Sequence, residues 1–220
     1  MNSDDVRRRW ARRSGEFSPD YYAYYGPDEA SEAVRRRLDG PIDSGGSVLE
    51  LGCSSGRHLA HLREHGYEDV YGIDINDESF EVMADAYPEL AATGTFHAAP
   101  IKDVVTEFPD DRFDAVFSVE TLQHLHADDA WVFEELVRIT ETRLLTVENE
   151  GGDDTEGTDA GEVPEGSTEA PMTDGVNYVN GEFPLYYRDW HRIFAQRGCT
   201  EVASESVGND TLRAFRPDER

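Results

Sequence analysis

Residues 48–56 read VLELGCSSG and are followed by Arg57-His58-Leu59. A short apolar run that meets an acid two residues before a glycine, with a second glycine opening a helical pattern, is a buried strand turning tightly into a helix. Gly52 lets the backbone turn with no Cβ in the way, and Gly56 permits close approach of helix to strand. The N–H groups at the start of that helix, over about 57–65, attract an anionic group such as a carboxylate or phosphate. A dinucleotide-binding loop would need glycines at 52, 54 and 57, where the chain has Gly52, Ser54 and Arg57. A phosphate loop would need Gly-Lys-Ser/Thr, and no lysine is present here. An ordinary βα turn with two glycines is the competing reading.

The pattern repeats outward from this loop. Val70–Ile75 (VYGIDI) is a second strand, with Asp74 at its C-terminal end some twenty residues on, where an acid accepts both hydroxyls of a ribose in this topology. The alternative role of Asp74, capping the next helix, can be filled by Asn76 or Asp77. A helix over Asp77–Tyr87 ends at Pro88, a brief strand covers Thr95–Ala98, and Asp114–Val119 (DAVFSV) is the clearest strand. Asp128 is expected to cap a helix running to about Thr140, and Arg143–Glu148 (RLLTVE) is a fifth strand. A helix over about 187–197 closes at Gly198. Strands 201–207 and 211–215 are separated by Gly208-Asn209-Asp210, a tight turn that makes them an antiparallel hairpin. The expected fold is α/β: a doubly wound, Rossmann-like, mostly parallel sheet of about seven strands that ends in an antiparallel β-hairpin.

Residues 1–40 read as an N-terminal arm and a helix, the latter from Asp28 (EASEAVRRRL) to Asp39-Gly40-Pro41; residues 41–216 are the main domain. The segment 149–182 breaks the rhythm. It is rich in acids, has no basic residue and contains Pro164 and Pro171, so it reads as a mobile, solvated acidic insertion. Its flank Val176–Tyr187, with Tyr178, Phe183, Tyr186 and Tyr187, has aromatics to dock against the site.

The charge balance narrows the classes of function. There are 47 Asp and Glu against 20 Lys and Arg, a net charge of −27 and a pI near 4.4. Lys102 is the only lysine. Such a field repels phosphate backbones and anionic membranes, so neither nucleic acid nor a membrane is expected as partner. A pervasive carboxylate surface with arginine almost replacing lysine resembles the habit of haloarchaeal cytoplasmic proteins, where molar salt screens the charge. No apolar run is long enough to span a membrane, none follows the N-terminal arginines as in a secretory signal, and Cys53 and Cys199 make no disulfide framework. A soluble cytoplasmic protein is expected, and nothing in the sequence points to an oligomeric state.

Together these segments resemble the class I S-adenosylmethionine-dependent methyltransferases. VLELGCSSG is similar to their first motif, YGIDIN to their second, and FDAVFSVETLQHL (Phe113–Leu125) to their fourth-strand segment. The resemblance covers about 45–148 by motif and 183–216 by topology. It implies S-adenosylmethionine as cofactor, with Glu50, Gly52, Cys53, Ser54 and Gly56 around its methionine end. Asp74 would hold the ribose and Ile75 pack on the adenine; Pro100 and Ile101, with Lys102 and Asp103 beside them, would meet the adenine edge. Glu120 would sit near the methionine amino group. The chain departs from the family in having Ser54 where a further glycine is usual, and no acid at Ala99-Pro100-Ile101.

His124 and His126 follow the fourth strand, on the side where doubly wound folds place substrates. His124 is the candidate general base, its alternative a structural cap. A metal between His124 and His126 lacks a third ligand, so no metal is expected. Cys53 reads as a small residue fitting the loop. The tyrosines at 21, 22, 24 and 25 would cover the cofactor or pack on the sheet edge, and the basic cluster 7–13 around Trp10 would pair with the protein's own surface. The function expected is methyl transfer to a small-molecule or protein acceptor. The alternatives are a catalytically silent cofactor-binding module that acts as a regulator or partner subunit, and another nucleotide-binding enzyme such as a dehydrogenase.

Overall fold

The computed structural model describes residues 2–151, 175–179 and 183–219. Three helices precede the first strand: α1 (Ser3–Trp10), α2 (Pro19–Tyr25) and α3 (Glu29–Leu38). The sequence suggested an arm and one helix, but local caps make the arm helical. Asn2 and Ser18 accept from the N–H groups of Asp5 and Tyr21, and Pro19 opens α2 where no N–H is needed. Asp28 and Ser31 cap α3 reciprocally.

Alternation then runs through β1 (Val48–Leu51), α4 (Arg57–Glu64), β2 (Val70–Asp74), α5 (Glu78–Ala86), α6 (Pro88–Thr93), β3 (Thr95–Ala98), α7 (Ile101–Val104), β4 (Phe113–Val119), α8 (Val132–Ile139) and β5 (Thr140–Glu148). A hairpin of β6 (Gly175–Val179) and β7 (Phe183–Tyr187) follows, then α9 (Trp190–Ala195), β8 (Cys199–Val207) and β9 (Asp210–Pro217). One expectation is extended here and another is corrected. Pro88 not only ends one helix but begins another, because the first helical position tolerates its missing N–H. Asp128 does not cap α8: it lies in a 3-10 turn, Ala127–Asp129, whose own cap is the His126 side chain accepting from the Asp128 N–H. Towards its end the acidic segment also differs from a plain loop, since residues 175–179 pair antiparallel with 183–187. The remainder of the loop expectation, 152–174 and 180–182, lies outside the described residues.

The main sheet has the order β3-β2-β1-β4-β5-β9-β8. The first five of these pair in parallel, while β9 runs antiparallel to both β5 and β8. The seven-stranded expectation therefore holds, with β9 inserted between β5 and the edge strand. Residue alternation sends side chains to two cores. Val48, Ala115, Phe117 and Leu145 meet Val34, Leu38, Leu59 and Met83 on one face; Leu49, Leu51, Val116 and Leu144 meet Phe133, Leu136, Trp190 and Phe194 on the other. Chain order reverses between β1 and β4, which opens a crevice at their C-terminal ends. Among the described residues no helix is long and apolar enough to cross a membrane.

Candidate functional site

The crevice is a cavity of about 280 Å³ at the C-terminal ends of β1, β2 and β4. On the β1 side the backbone turns at Gly52 (φ 70°), and Ser54 (φ 47°) and Gly56 (φ 82°) also adopt left-handed conformations. A Cβ on Gly52 would overlap the Thr121 side chain, so only glycine lets the loops after β1 and β4 meet. Glycine at 56 serves a different contact: a Cβ there would press on Leu90 and Met83, which seat α4 against α5 and α6.

Asp74 joins two loops. Its Oδ2 accepts the Ser54 N–H at 2.7 Å and its Oδ1 accepts the Asn76 N–H at 2.8 Å. Burial raises its pKa, opposed by these bonds, and the side chain still reaches the cavity wall. Ile75, Pro100 and Ile101 line the same region, as do Cys53 and Ser54. Cys53 is buried, with its thiol pKa pushed well above normal by desolvation, which is the behaviour of a packing residue. Glu50 and Gly56 stand behind the wall and not on it. Glu50 is fully buried at the β1 end with no partner for Oε2, and burial pushes its pKa well up. The Arg57 charge works against that upward shift.

Arg57 was not foreseen as a site residue. It opens α4 and pairs with Asp28 at 2.7 Å, with its guanidinium 4.7 Å from the Tyr22 ring centre. Tyr22 therefore faces the cavity, whereas Tyr24 and Tyr25 are exposed on the outer side of α2. Glu120, another left-handed residue (φ 49°), lines the cavity from the end of β4, and burial with Asp28 nearby raises its pKa against the pull of Arg57.

The loop after β4 is held from outside itself. Glu148, buried at the end of β5, accepts the Ser118 hydroxyl at 2.5 Å and the N–H groups of Thr121, Leu122 and Gln123 at 3.3, 3.0 and 3.1 Å. Desolvation outweighs these donors and moves its pKa up to about 7. Arg188, buried after β7, donates to the carbonyls of Leu122 (2.7 Å) and Leu125. Between these clamps sits His124, whose Nδ1 is 2.8 Å from the Pro184 carbonyl. Sequence reading placed His124 here and missed both clamps; the signal available was an acid ending a buried strand and an arginine inside an aromatic run.

α1 covers this side. Arg7 pairs with Asp129 at 2.6 Å, Ser3 donates to the same carboxylate, and Lys102 reaches it at 3.3 Å. The basic cluster thus pairs with the protein's own surface at Arg7, and the sole lysine turns towards the cavity and not away from it. Trp10 lies between His124 and Phe183, with ring centres 4.7 and 4.3 Å away. Phe183 and Tyr186 are buried, while Tyr178 is exposed, so the aromatic flank docks through β7. Among the described residues no group of three or more His, Cys, Asp or Glu could hold a metal ion.

Comparison with known proteins agrees with this geometry. Residues 48–143 match the family described as "Methyltransferase domain". An O-methyltransferase of Penicillium expansum (cnsE) is 27% identical over 103 residues, 44% of this chain and 37% of that protein. A tRNA U34 carboxymethyltransferase of Idiomarina loihiensis is 35% identical over 85 residues, 37% of this chain and 25% of that protein. The matching segments thus span well under half of either curated relative. The geranyl diphosphate C-methyltransferase of Streptomyces coelicolor A3(2), solved with Mg2+, geranyl diphosphate and S-adenosyl-L-homocysteine, superposes with a TM-score of 0.68 at 12% identity, covering 97% of each chain. At that identity the likeness carries the fold alone. Residues 48–143 are thus similar to a methyltransferase domain, and the chain as a whole has the α/β fold of the solved methyltransferases.

Proposed function

We propose that this protein is an active S-adenosylmethionine-dependent methyltransferase whose acceptor is a small molecule. The observation that carries the reading is Asp74. It stands at the end of β2 beside the switch point, and each carboxylate oxygen is held by one loop N–H, leaving lone pairs for two ribose hydroxyls. Ile75, Pro100 and Ile101 form an apolar rim for the adenine, and Gly52, Cys53 and Ser54 line the methionine end with Glu120 opposite. Glu50 stands behind this loop, with Oε2 unpartnered and off the cavity wall. When bound, S-adenosylmethionine supplies an electrophilic methyl group on a sulfonium; the chain's own contribution is positioning and exclusion of water.

A small acceptor fits the walls better than a macromolecule. α1, α2 and the β6–β7 hairpin all contribute residues to the cavity. The surface charge of −27 disfavours a nucleic acid, although one curated relative is named for tRNA. Calorimetric titration with S-adenosylmethionine, S-adenosylhomocysteine and NAD tests the cofactor: the first two are expected to bind and NAD is not. Release of S-adenosylhomocysteine when the protein meets the low-molecular-weight fraction of a cell extract tests turnover. Binding without any turnover would favour the silent module instead.

The acid excess supports adaptation to high salt, as in haloarchaeal cytoplasmic proteins. Carboxylates that repel one another at low ionic strength are screened when the Debye length falls to about 3 Å at 1 M. The thermal midpoint is therefore expected to climb steadily from low salt to molar KCl. A flat or falling midpoint across that range removes the high-salt reading and leaves the methyltransferase reading untouched.

A further inference from the structure

We infer that the acceptor carries an oxyanion, a carboxylate or a phosphate, on an apolar body, and that Lys102 is the residue that selects it. This rests on the methyltransferase reading above and adds the class of acceptor to it.

Lys102 is the only lysine among 20 basic residues, and it lies in the cavity wall. It stands in α7, directly after Ile101, where three elements meet. Arg7 comes from α1 and Asp129 from the 3-10 turn before α8, and both line the same cavity. Asp129 accepts from Ser3 and Arg7 through Oδ2 and from Lys102 through Oδ1 at 3.3 Å. A close charge-assisted bond measures about 2.7–2.9 Å, so this acid holds the ammonium loosely. An ammonium has three N–H groups, and this one therefore has donors to offer a ligand.

The charges do not balance in this corner. Asp129 is one negative charge shared by two cations. Burial works against its ionisation, but the bonds from Ser3 and Lys102 and the charges of Lys102 and Arg7 outweigh it and hold its pKa below the ordinary value. Arg7 also meets Asp4, a carboxylate 76% exposed, where water screens the pair. Asp103, next to Lys102 in the chain, is exposed and off the wall. The other two acids of the cavity belong elsewhere. Asp74 is taken up by the loop N–H groups and the ribose, and Glu120 interacts with Arg57, Asp28 and Asp210, none of them in the Asp129 group. In a chain of net charge −27 the Lys102 corner thus keeps an excess of positive charge. A carboxylate or phosphate there exchanges its hydration for charge-assisted bonds, whereas a cationic acceptor is repelled.

This oxyanion is not the cofactor's own. In the reading above the cofactor's carboxylate lies at the methionine end, by Gly52, Cys53 and Ser54, whereas Lys102 follows Pro100 and Ile101 at the adenine rim. The rest of the acceptor meets apolar wall: Val6 and Trp10 from α1 and Leu125 from the loop before Asp129. Lysine differs here from the arginines around it, being a compact point charge on a flexible stem that can turn from Asp129 to a ligand.

The test uses the full chain saturated with S-adenosylhomocysteine, at one KCl concentration throughout. It is titrated by calorimetry with 2-naphthoate, with 2-naphthyl phosphate and with the neutral, nearly isosteric 2-naphthamide. At least one of the anions is expected to bind about tenfold or more tightly than the amide, as one charge-assisted bond implies, and which of them does so separates carboxylate from phosphate. Lys102→Gln should bring anion and amide to within about threefold of each other, with S-adenosylhomocysteine affinity changed by no more than about twofold. Lys102→Arg, which keeps the charge, should retain most of the preference. A lysine with a merely structural role would not separate these probes. An amide that binds the parent protein as tightly as both anions, no binding of either anion, a preference that survives Lys102→Gln, or a loss that falls on S-adenosylhomocysteine instead would each overturn the inference. The probe comparison on the parent protein decides even if a variant does not fold. Failure of the wider reading shows separately, as absence of S-adenosylhomocysteine binding in the saturation step.

Discussion

Replacing Asp74 with alanine is expected to weaken S-adenosylmethionine binding by roughly ten- to hundredfold, measured by calorimetry on protein of unchanged secondary structure. A hydrogen bond to a charged group contributes about 1.5–3 kcal/mol, and each 1.4 kcal/mol is about tenfold in affinity. Asp74 has a second duty that adds to the loss. It is the one carboxylate that accepts both the Ser54 N–H and the Asn76 N–H, so alanine also unties the loops after β1 and β2 from each other. Asp74→Asn separates the two duties. Its remaining oxygen keeps one loop bond, while its NH2 group opposes the other N–H, so the loss should lie between parent and alanine. If Asp74→Ala binds the cofactor as tightly as the parent, the ribose assignment is wrong.

The second large effect is on stability. Glu148→Ala should cost about 3–5 kcal/mol, the usual outcome of removing one partner from a buried charged network. Three backbone N–H groups and the Ser118 hydroxyl lose their acceptor at once, and where Glu148 is ionised the buried Arg188 also loses a favourable charge. For a chain of this length each kcal/mol moves the thermal midpoint by about 2–4 °C, so a fall of roughly 6–20 °C is expected. The loss should depend on pH. The folded pKa of Glu148 is raised to about 7 from an ordinary 4.5, so the folded state holds that proton more firmly than the unfolded chain. The stabilisation from proton binding is fully present below about pH 4.5 and is lost as pH rises through 7. The gap between parent and Glu148→Ala should therefore be wider at pH 5 than at pH 8. A gap that stays flat from pH 5 to pH 8 would mean that the carboxylate is ionised throughout, its four donors prevailing over burial.

Most of the sheet was legible because its signals are local. VLELGCSSG and VYGIDI announce strand, turn and acid within nine and six residues, and the glycines do what their positions suggest. What the sequence hid depends on distant partners. Nothing within RRRWARR says that Arg7 will meet Asp129, 122 residues away, or that Trp10 will sit on His124. Glu148 reads as an ordinary polar end to RLLTVE, and only the folded chain shows it gathering the next loop over. β6, GVNYV, has strand-forming Val176, Tyr178 and Val179, but it directly follows an acidic, glycine-rich stretch that reads as loop, and its pairing with β7 is seen only in the fold. His124 illustrates the boundary: its position was legible, whereas its tautomer depends on a proline carbonyl sixty residues on.

The place of β9 between β5 and β8 has a consequence for the order in which the chain is made. β5 is finished at residue 148, but its outer edge has no partner until residues 210–217 emerge. Throughout that interval Leu144, Leu145 and Val147 belong to an unfilled sheet edge, the kind of surface on which nascent chains stick to one another. In the sequence, β5 is followed directly by ENEGGDDTEGTDAGEVPEGSTE, rich in carboxylates and containing a proline. Charge and proline flanking an exposed strand are the features that keep such edges apart.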